Sequence, residues 1–306
     1  MTSLRHNARM EQREFGTTGL TVSVLGLGAG QIGDARHSED LAGTLMNRAL
    51  DFGVTLVDTA RGYGLSEERI GRHLSWRRHD FILSSKGGYG AEGADDWTPQ
   101  AIRSGIEQAL RRMRVDWIDI FHLHSCPLDV LRRDDLLAAL DDARAQGLIR
   151  VAAYSGENDA LRWAATSGRF GSVETSVNLA DQWSAQHVLP QARDAGLGVI
   201  AKRPIANAAW QYAQRPAGQY AEPYWERLGT LDLDGIRQGA GLEWDEFALR
   251  FAAYTPGVHS AIVGTARVDN LERNIQLAQK GPLPIDVLTH IQAAWDEHGR
   301  GWGGEV

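Results

Sequence analysis

Short apolar segments and longer amphipathic segments alternate along most of this chain. Each short segment has four to six residues, is rich in valine, isoleucine and leucine, and has the composition typical of a buried strand. Eight such strands are predicted, at residues 24–28, 54–57, 81–85, 118–123, 151–154, 173–178, 198–201 and 260–263. A helical segment follows each of them, and this regular alternation predicts a parallel sheet.

Glycine, threonine and proline mark the helix boundaries between these strands. Three predicted helices are followed within two residues by a glycine: 38–51 before Gly53, 132–146 before Gly147 and 186–195 before Gly196. Glycine after a helix adopts the left-handed conformation without Cβ strain. Thr98 and Pro99 predict the start of another helix, because a hydroxyl caps the first turn and proline suits the first helical position.

The number of strand–helix units indicates the architecture. Eight units in 306 residues predict an α/β fold of the closed (β/α)8, or TIM barrel, type, with any site at the carboxyl ends of the strands. An open, doubly wound sheet is the alternative. A β-hairpin is predicted ahead of the first strand, where residues 13–16 and 20–23 flank turn residues 17–19.

Two segments lie outside the alternation. Residues 1–12 are expected to be a flexible lead-in to a single barrel domain that spans 13–306. Residues 203–241, after the seventh strand, form a polar insertion with three prolines and several aromatic residues. We expect this insertion to be a long loop over the site.

Composition argues against several classes of binding partner and against a disulfide-stabilised fold. A net charge of −7 disfavours binding to nucleic acid or to an anionic membrane surface. No apolar run reaches the length of about 18 residues that would predict a membrane span. Cys126 is the only cysteine, so no disulfide framework is expected and a reducing, cytoplasmic location fits. No pattern in the chain predicts an oligomeric state.

Polar side chains occur at the ends of several predicted strands. The second strand ends at Asp58 and is followed by Tyr63, the third ends at Lys86, and the fourth ends at His124. Each residue alone has an ordinary alternative, such as a capping carboxylate, a loop aromatic or a solvated charge. Because a barrel brings all strand ends to one mouth, their convergence predicts a functional site.

A metal site is the first alternative to consider here. His122 and His124 could ligate zinc together with a carboxylate. However, the two histidines lie close together on one strand, and Asp58 is the only acid expected nearby. We therefore expect no metal, with His122 as an interior polar residue.

The chemistry of the remaining set points to proton transfer. A tyrosine phenol has a pKa near 10 and is a poor acid at neutral pH, but an adjacent lysine ammonium lowers that pKa. Asp58 would keep Lys86 charged, Tyr63 could then protonate a substrate carbonyl oxygen, and His124 could orient this oxygen. None of the four residues attacks carbon readily, so a nicotinamide cofactor is expected to supply hydride.

Longer stretches of the chain resemble the aldo-keto reductase family. The resemblance rests on residues 13–23, 58–67, 84–86, 119–124 and 264–274. It implies a (β/α)8 barrel that reduces aldehydes or ketones, small-molecule carbonyl substrates, with NAD(P)H. It also implies that the catalytic residues are Asp58, Tyr63, Lys86 and His124.

The resemblance further implies positions for the cofactor. Two groups of residues are expected to hold it. Around the nicotinamide end and the pyrophosphate these are Ser155, Gly156, Asn178, Lys202 and Arg203. Around the adenosine phosphates they are Gly264, Thr265, Arg267, Asn270, Arg273 and Asn274. Three of these positions depart from the family pattern. Gly156 replaces asparagine, Lys202 replaces an aromatic that stacks on the nicotinamide, and Asn270 replaces a basic residue.

The basic residues of the last segment determine the expected cofactor. Asn270 carries no charge for a 2′-phosphate, whereas Arg267 lies beside the predicted helix start and Arg273 one turn after it. A guanidinium grips a phosphate through two donors. We therefore expect NADP(H) in preference to NAD(H), with Arg267 as the first candidate.

The sequence also allows two alternative functions and predicts residues of the pocket walls. A Schiff-base aldolase could use Lys86 or Lys202, and a cofactor-binding sensor or regulatory barrel could keep the fold with little turnover. Aromatic pocket walls are expected, with Trp210 or Trp225 close to bound cofactor or substrate. Candidate wall residues are Gln31, Tyr89, Trp97, Trp183, Trp210, Trp225 and Trp302.

Overall fold

Eight parallel strands close into a barrel in the computed structural model, which describes residues 10–306. An antiparallel hairpin of β1 (Gln12–Glu14) and β2 (Thr21–Ser23) precedes it. The barrel strands are β3 (Leu25–Gly28), β4 (Leu56–Asp58), β5 (Ile82–Gly87), β6 (Ile118–His124), β7 (Ile149–Ser155), β8 (Ser172–Ser176), β9 (Gly198–Lys202) and β10 (Ser260–Val263). Each strand pairs with its neighbours in sequence, and β10 closes the circle against β3.

The predicted barrel is therefore confirmed, and the open sheet is excluded. All eight strands occur within two residues of their predicted bounds. The strand positions could be predicted accurately because barrel strands are buried on both faces and are apolar along most of their length.

Helices cover the outside of the barrel. They are α1 (Glu39–Asp51), α2 (Ser66–His73), α3 (Pro99–Met113), α4 (Leu128–Leu131), α5 (Asp134–Ala145), α6 (Asn158–Thr166), α7 (Trp183–His187), α8 (Leu189–Asp194), α9 (Glu222–Leu231), α10 (Asp234–Gly239), α11 (Trp244–Ala253), α12 (Val268–Ala278) and α13 (Ile285–His298). Thr98 caps α3 as predicted, since its hydroxyl accepts a hydrogen bond from the Ala101 amide at 3.1 Å. The predicted helix 186–195 is interrupted at Val188, before Pro190, which has no amide hydrogen to donate.

The insertion after β9 is not a simple loop. It contains a 3-10 segment (Ala206–Gln211) as well as α9 and α10. Its Tyr224 and Leu228 join Phe247 of α11 and Trp295 of α13 in an apolar cluster outside the barrel. The insertion was predicted as a long loop over the site, and it contains helices as well because it buries enough apolar surface to support them.

The folded domain begins at least three residues before residue 13, where it was predicted to start. Residues 1–9 of the expected lead-in lie outside the described residues. Met10 is buried, and Gln12 begins β1 and bonds to the Gly53 carbonyl at 3.2 Å. None of the helices within residues 10–306 is both long enough and apolar enough to cross a membrane.

The hairpin closes the end of the barrel opposite the strand carboxyl ends. Phe15 and Val22 are buried with Leu56, Ile120 and Ile200, which point into the barrel. The fit is close at β9, where a Cβ atom on Gly198 would lie 2.3 Å from the Phe15 ring. The hairpin thus fills the end of the barrel at the strand amino termini, and a site can form only at the end where the strands have their carboxyl termini.

We expect Phe15→Ala to destabilise the protein by about 3–5 kcal/mol, because the cavity it leaves at the barrel floor cannot collapse. The free energy of unfolding from urea titration measures this loss. Phe52→Ala is the matched control, since 39% of the Phe52 side chain is exposed. Equal effects of the two substitutions would show that the hairpin is not a structural plug.

Candidate active site

A cavity of about 1050 Å³ opens at the carboxyl ends of the barrel strands. This volume is at the upper end of the range for small-molecule and cofactor sites, about 300–1000 Å³. Its walls include side chains that end or follow strands β4, β6, β8 and β9, among them Asp58, Tyr63, His124, Glu174 and Lys202. Backbone at Gly28, Val263 and Gly264 completes one side.

Lys86 lies beneath this cavity and is in contact with two carboxylates. Its Nζ donates to Asp58 Oδ2 and, at 3.1 Å, to the Thr59 carbonyl. Glu174 Oε2 is 3.2 Å from the same Nζ. All three side chains are at most 1% exposed, so one ammonium bridges two buried acids.

Glu174 is the charged residue beside Lys86 that sequence analysis missed. Asp58 was expected to be the only acid near the lysine, and this expectation was wrong. The available signal was a charged residue within the predicted strand 173–178, since glutamate is rarely fully buried without a partner. Residues on β4 and β8 approach each other only when the barrel closes, so their contact was not visible in the sequence.

The same cluster could in principle hold a metal. Ligand atoms of Asp58, His122 and Glu174 lie within 4.8 Å of one another. His122 Nε2 is 3.1 Å from Ser84 Oγ, which in turn donates to Asp58 Oδ1 at 2.7 Å. Because Lys86 already contacts both carboxylates, we assign the positive charge of this cluster to its ammonium.

Charges in the cluster shift the pKa values of its members. Burial and the neighbouring Glu174 raise the pKa of Asp58 to about 7, and the proton that is gained belongs to the pair of carboxyls. Burial lowers the pKa of Lys86, but Asp58 and Glu174 outweigh it and the pKa rises. Lys86 therefore stays charged, which disfavours the Schiff-base aldolase, since an imine needs the neutral amine.

The pKa of Tyr63 differs from the sequence-based prediction. Lys86 lowers this pKa, as expected, and its Nζ is 5.4 Å from the ring centroid. Burial, Asp58 and Glu174 act in the opposite direction and raise the pKa to about 12. The prediction of a lowered pKa was wrong because it left out burial, the largest effect that raises this pKa, and counted one carboxylate where the structure has two.

His124 is held by a second tyrosine. Tyr89, one of the predicted wall residues, has its hydroxyl 2.9 Å from His124 Nδ1, and the two rings are stacked. Tyr63 meets His124 edge-on with ring centroids 6.0 Å apart. Burial and Lys86 lower the pKa of His124 to about 3, so its imidazole is neutral.

The predicted nicotinamide-end residues do not all reach the cavity. Ser155 donates to Glu174 Oε1 at 3.3 Å, beneath the cavity. Asn178 uses both ends of its amide on backbone, donating to the Arg203 carbonyl at 3.1 Å and accepting from the Ala180 amide at 2.9 Å. Gly156 leaves room for Tyr154, whose hydroxyl would be 2.2 Å from a Cβ there.

Lys202 and Arg203 both line the cavity, and both have protein partners. Lys202 Nζ is 3.2 Å from Glu157 Oε1. Arg203 lies over the Tyr220 ring and donates to the Glu305 carbonyl at 2.6 Å. Of the predicted positions after β9, these two are therefore close enough to contact a bound ligand.

The segment after β10 contains the backbone amides at the start of α12 and an arginine whose guanidinium has no partner in the described chain. Helix α12 begins without a side-chain cap, and the Thr265 hydroxyl accepts from the Arg267 amide at 3.1 Å. Arg267 and Asn270 are exposed, and Asn274 is largely buried. Arg273 is paired with Asp245, whereas the Arg267 guanidinium has no partner within residues 10–306.

Trp210 and Trp225 lie elsewhere. They line a separate cavity of about 350 Å³, where Trp210 stacks on Trp244 and Trp225 donates to the Tyr212 carbonyl. The expectation that one of them faces the main cavity was wrong. Tyr212 and Tyr220 are the insertion aromatics that line it.

Comparison with known proteins agrees with this architecture. The model of the Aldo/keto reductase family matches residues 24–296. The chain is 26% identical to the oxidoreductase YqkF of Bacillus subtilis, covering 93% of this chain and 96% of that protein. It is also 26% identical to L-galactose dehydrogenase of Arabidopsis thaliana, covering 87% and 88%.

A solved structure supports the same conclusion. The holo form of the aldo-keto reductase AKR11C1 from Bacillus halodurans superimposes with a TM-score of 0.80 at 25% identity, covering 93% of this chain and 96% of that one. The family match extends from the first barrel strand into the last helix. The chain therefore belongs to the aldo/keto reductase family, and it is an oxidoreductase that acts on carbonyl compounds.

Proposed function

We propose that Tyr63 is the proton donor in an NAD(P)H-dependent reduction of an aldehyde or ketone at the main cavity. The observation that supports this most strongly is the buried Lys86–Asp58 pair beside Tyr63, with His124 facing the same ring. A bound nicotinamide would supply the hydride, and the protein would manage the charge that develops on the carbonyl oxygen.

Tyr63 and Lys86 have complementary roles in this proposal. The phenol, with its raised pKa, is protonated throughout the neutral range and can give its proton to the oxygen. The phenolate that remains is stabilised by the Lys86 ammonium, which the surrounding carboxylates keep charged. Donor and counter-charge are both fixed before substrate binds, and such pre-organisation is what electrostatic catalysis requires.

His124 would orient the substrate oxygen. Its imidazole is neutral, so one ring nitrogen carries hydrogen and the other does not. We assign the Tyr89 hydroxyl as donor to Nδ1, since a phenol is a stronger acid than a neutral imidazole. Nε2 then carries the hydrogen and is available to the substrate.

We propose that a dinucleotide extends from the cavity, past Gly264 at its edge, to the start of α12. The uncapped start of this helix provides backbone amides for phosphate, as helix N-termini commonly do, and the Thr265 hydroxyl beside it bonds to the Arg267 backbone. The Lys202 stem and Arg203 lie at the cavity wall toward the other end. The free Arg267 guanidinium adds a cation beside α12, and we propose that it selects NADP(H) over NAD(H).

We expect Tyr63→Phe to lower turnover by about 10²–10⁴-fold, because the ring remains but its proton is lost. Cofactor affinity should be preserved. The assay is NADPH oxidation against a panel of aldehydes and ketones that includes aldoses, chosen because one relative is a sugar dehydrogenase. Near-normal turnover by the variant would remove Tyr63 from the mechanism.

Tyr89→Phe should lower kcat about tenfold or more while the dissociation constant of the cofactor stays unchanged. Loss of the hydroxyl releases the His124 ring to adopt either tautomer, and only one presents Nε2–H to the substrate. Pre-steady-state hydride transfer measures the effect directly. Trp97→Phe, which changes the ring tilted against Tyr89 but leaves the hydroxyl, is the control; an equal loss there would indicate packing alone.

Arg267→Ala should weaken NADPH binding by roughly tenfold or more and leave NADH binding nearly unchanged, since a hydrogen bond to a charged group contributes about 1.5–3 kcal/mol. Fluorescence titration of both nucleotides supplies the dissociation constants. Arg273→Ala is the comparison, because Asp245 already neutralises that guanidinium. A parent protein that binds NADH more tightly than NADPH would contradict the assignment.

A further inference from the structure

We propose that Glu174 is a positioning residue for the reaction, a second counter-charge on Lys86 that keeps Tyr63 protonated and sets the pH range over which Tyr63 can act as proton donor. This inference rests on the proposed role of Tyr63 as proton donor. It assigns a function to a buried carboxylate that the proposed mechanism does not otherwise need.

The two oxygens of Glu174 have different environments. Oε1 accepts a hydrogen bond from Ser155, the residue paired with Glu174 across β7 and β8. Oε2 is 3.2 Å from Lys86 Nζ and 3.8 Å from His122 Nε2, yet it makes no hydrogen bond of good geometry within the described chain. Charge, rather than hydrogen bonding, is therefore the main interaction of Oε2.

Lys86 is neutralised by Asp58 before Glu174 is considered. Asp58 makes the shorter contact with the ammonium and also receives the Ser84 hydroxyl at 2.7 Å. This pair alone would present a nearly neutral unit to Tyr63. Above about pH 7, where the pair of carboxyls has lost its shared proton, Glu174 adds one uncompensated negative charge. The site largely excludes water, so electrostatic interactions there are stronger than in water.

The other titratable groups around Tyr63 do not cancel that charge. His122 and His124 on β6 are neutral, since burial lowers their pKa values to about 4 and about 3. Lys202 on β9 is paired with Glu157. Tyr220, from the insertion, acts in the same direction as Glu174 and raises the pKa of Tyr63. Glu174 is thus the group that makes the local balance negative.

A negative balance sets the pH limits of both directions of the reaction. In reduction, a bound nicotinamide would supply hydride to the carbonyl carbon, the C=O π bond would break, and the oxygen would take the Tyr63 proton. In oxidation, the alcohol would give its proton to a Tyr63 phenolate while its hydride would go to the oxidised nicotinamide. Because Glu174 disfavours the phenolate, the donor for reduction persists to higher pH, and the base for oxidation forms at higher pH.

Glu174→Gln isolates the charge from the shape. Glutamine has nearly the same size and keeps an oxygen that can accept from Ser155, while Lys86 retains Asp58 as its partner. Glu174→Asp is the conservative variant that keeps the charge. Glu246→Gln is the matched control, since Glu246 is also largely buried and paired with a lysine, but on the outer helix α11.

The first readout is the pH at which tyrosinate forms, followed by ultraviolet absorbance without cofactor or substrate. The difference between Glu174→Gln and the double variant Glu174→Gln/Tyr63→Phe isolates the signal of Tyr63. We expect its onset to move down by about one pH unit or more, the usual effect of removing one nearby like charge. Glu174→Asp and Glu246→Gln should keep the onset of the parent.

The second readout is the pH profile of kcat/KM in both directions. At neutral pH the two directions should change by the same factor, because the equilibrium constant fixes their ratio when cofactor affinities are unchanged. The alkaline limb of reduction and the pH at which oxidation reaches its plateau should both move down by about one pH unit. A purely structural residue would lower the rates without moving these limbs.

The outcome that overturns the inference is an unmoved tyrosinate onset in Glu174→Gln, accompanied by unmoved limbs in both pH profiles. This result is distinguishable from failure of the proposed function. If Tyr63→Phe keeps its turnover, then Tyr63 is not the donor, but the absorbance titration still reports whether Glu174 controls the Tyr63 charge.

Discussion

One buried ammonium organises this site. Lys86 is fully enclosed, and a charge without water is stable only when protein groups replace its hydration. Asp58, Glu174 and the Thr59 carbonyl provide that replacement. Asp58 and Lys86 lie on the paired strands β4 and β5, whereas Glu174 comes from β8. The charge balance around Tyr63 therefore depends on barrel closure, because no single strand pair contains all three groups.

The rest of the fold maintains this arrangement. The hairpin and Phe15 fill the end of the barrel opposite the cavity. The interior therefore contains apolar side chains near the hairpin and ionised side chains near the cavity. The alternation of side chains along each strand directs Ser84 and Lys86 of β5, and His122 and His124 of β6, to the same interior face of the barrel. These four residues meet because β5 pairs with β6 so that Lys86 faces His122. The acid–base groups thus stand on rigid strands, while the cavity walls come partly from loops and the insertion.

Sequence reasoning succeeded where a local signal coincided with the barrel geometry. Asp58, Lys86 and His124 were selected because each ends a strand, and a barrel brings strand ends together. Glu174 was missed because its partners are distant in sequence. The direction of the Tyr63 pKa shift was wrong because neither burial nor this second carboxylate was counted. The helices of the insertion and the backbone bonds of Asn178 depend on tertiary contacts, which neither composition nor spacing could show.

The central claim is that the Lys86 charge stabilises the phenolate that Tyr63 becomes on giving up its proton. The most direct measurement compares single-turnover reduction by Glu174→Gln with that by the double variant Glu174→Gln/Lys86→Met. Methionine removes the ammonium at similar size, and the Glu174→Gln background limits the number of unpaired buried carboxylates. We predict that the double variant folds, binds cofactor and loses about 10²-fold or more in hydride transfer. Equal rates in the two variants would contradict the account.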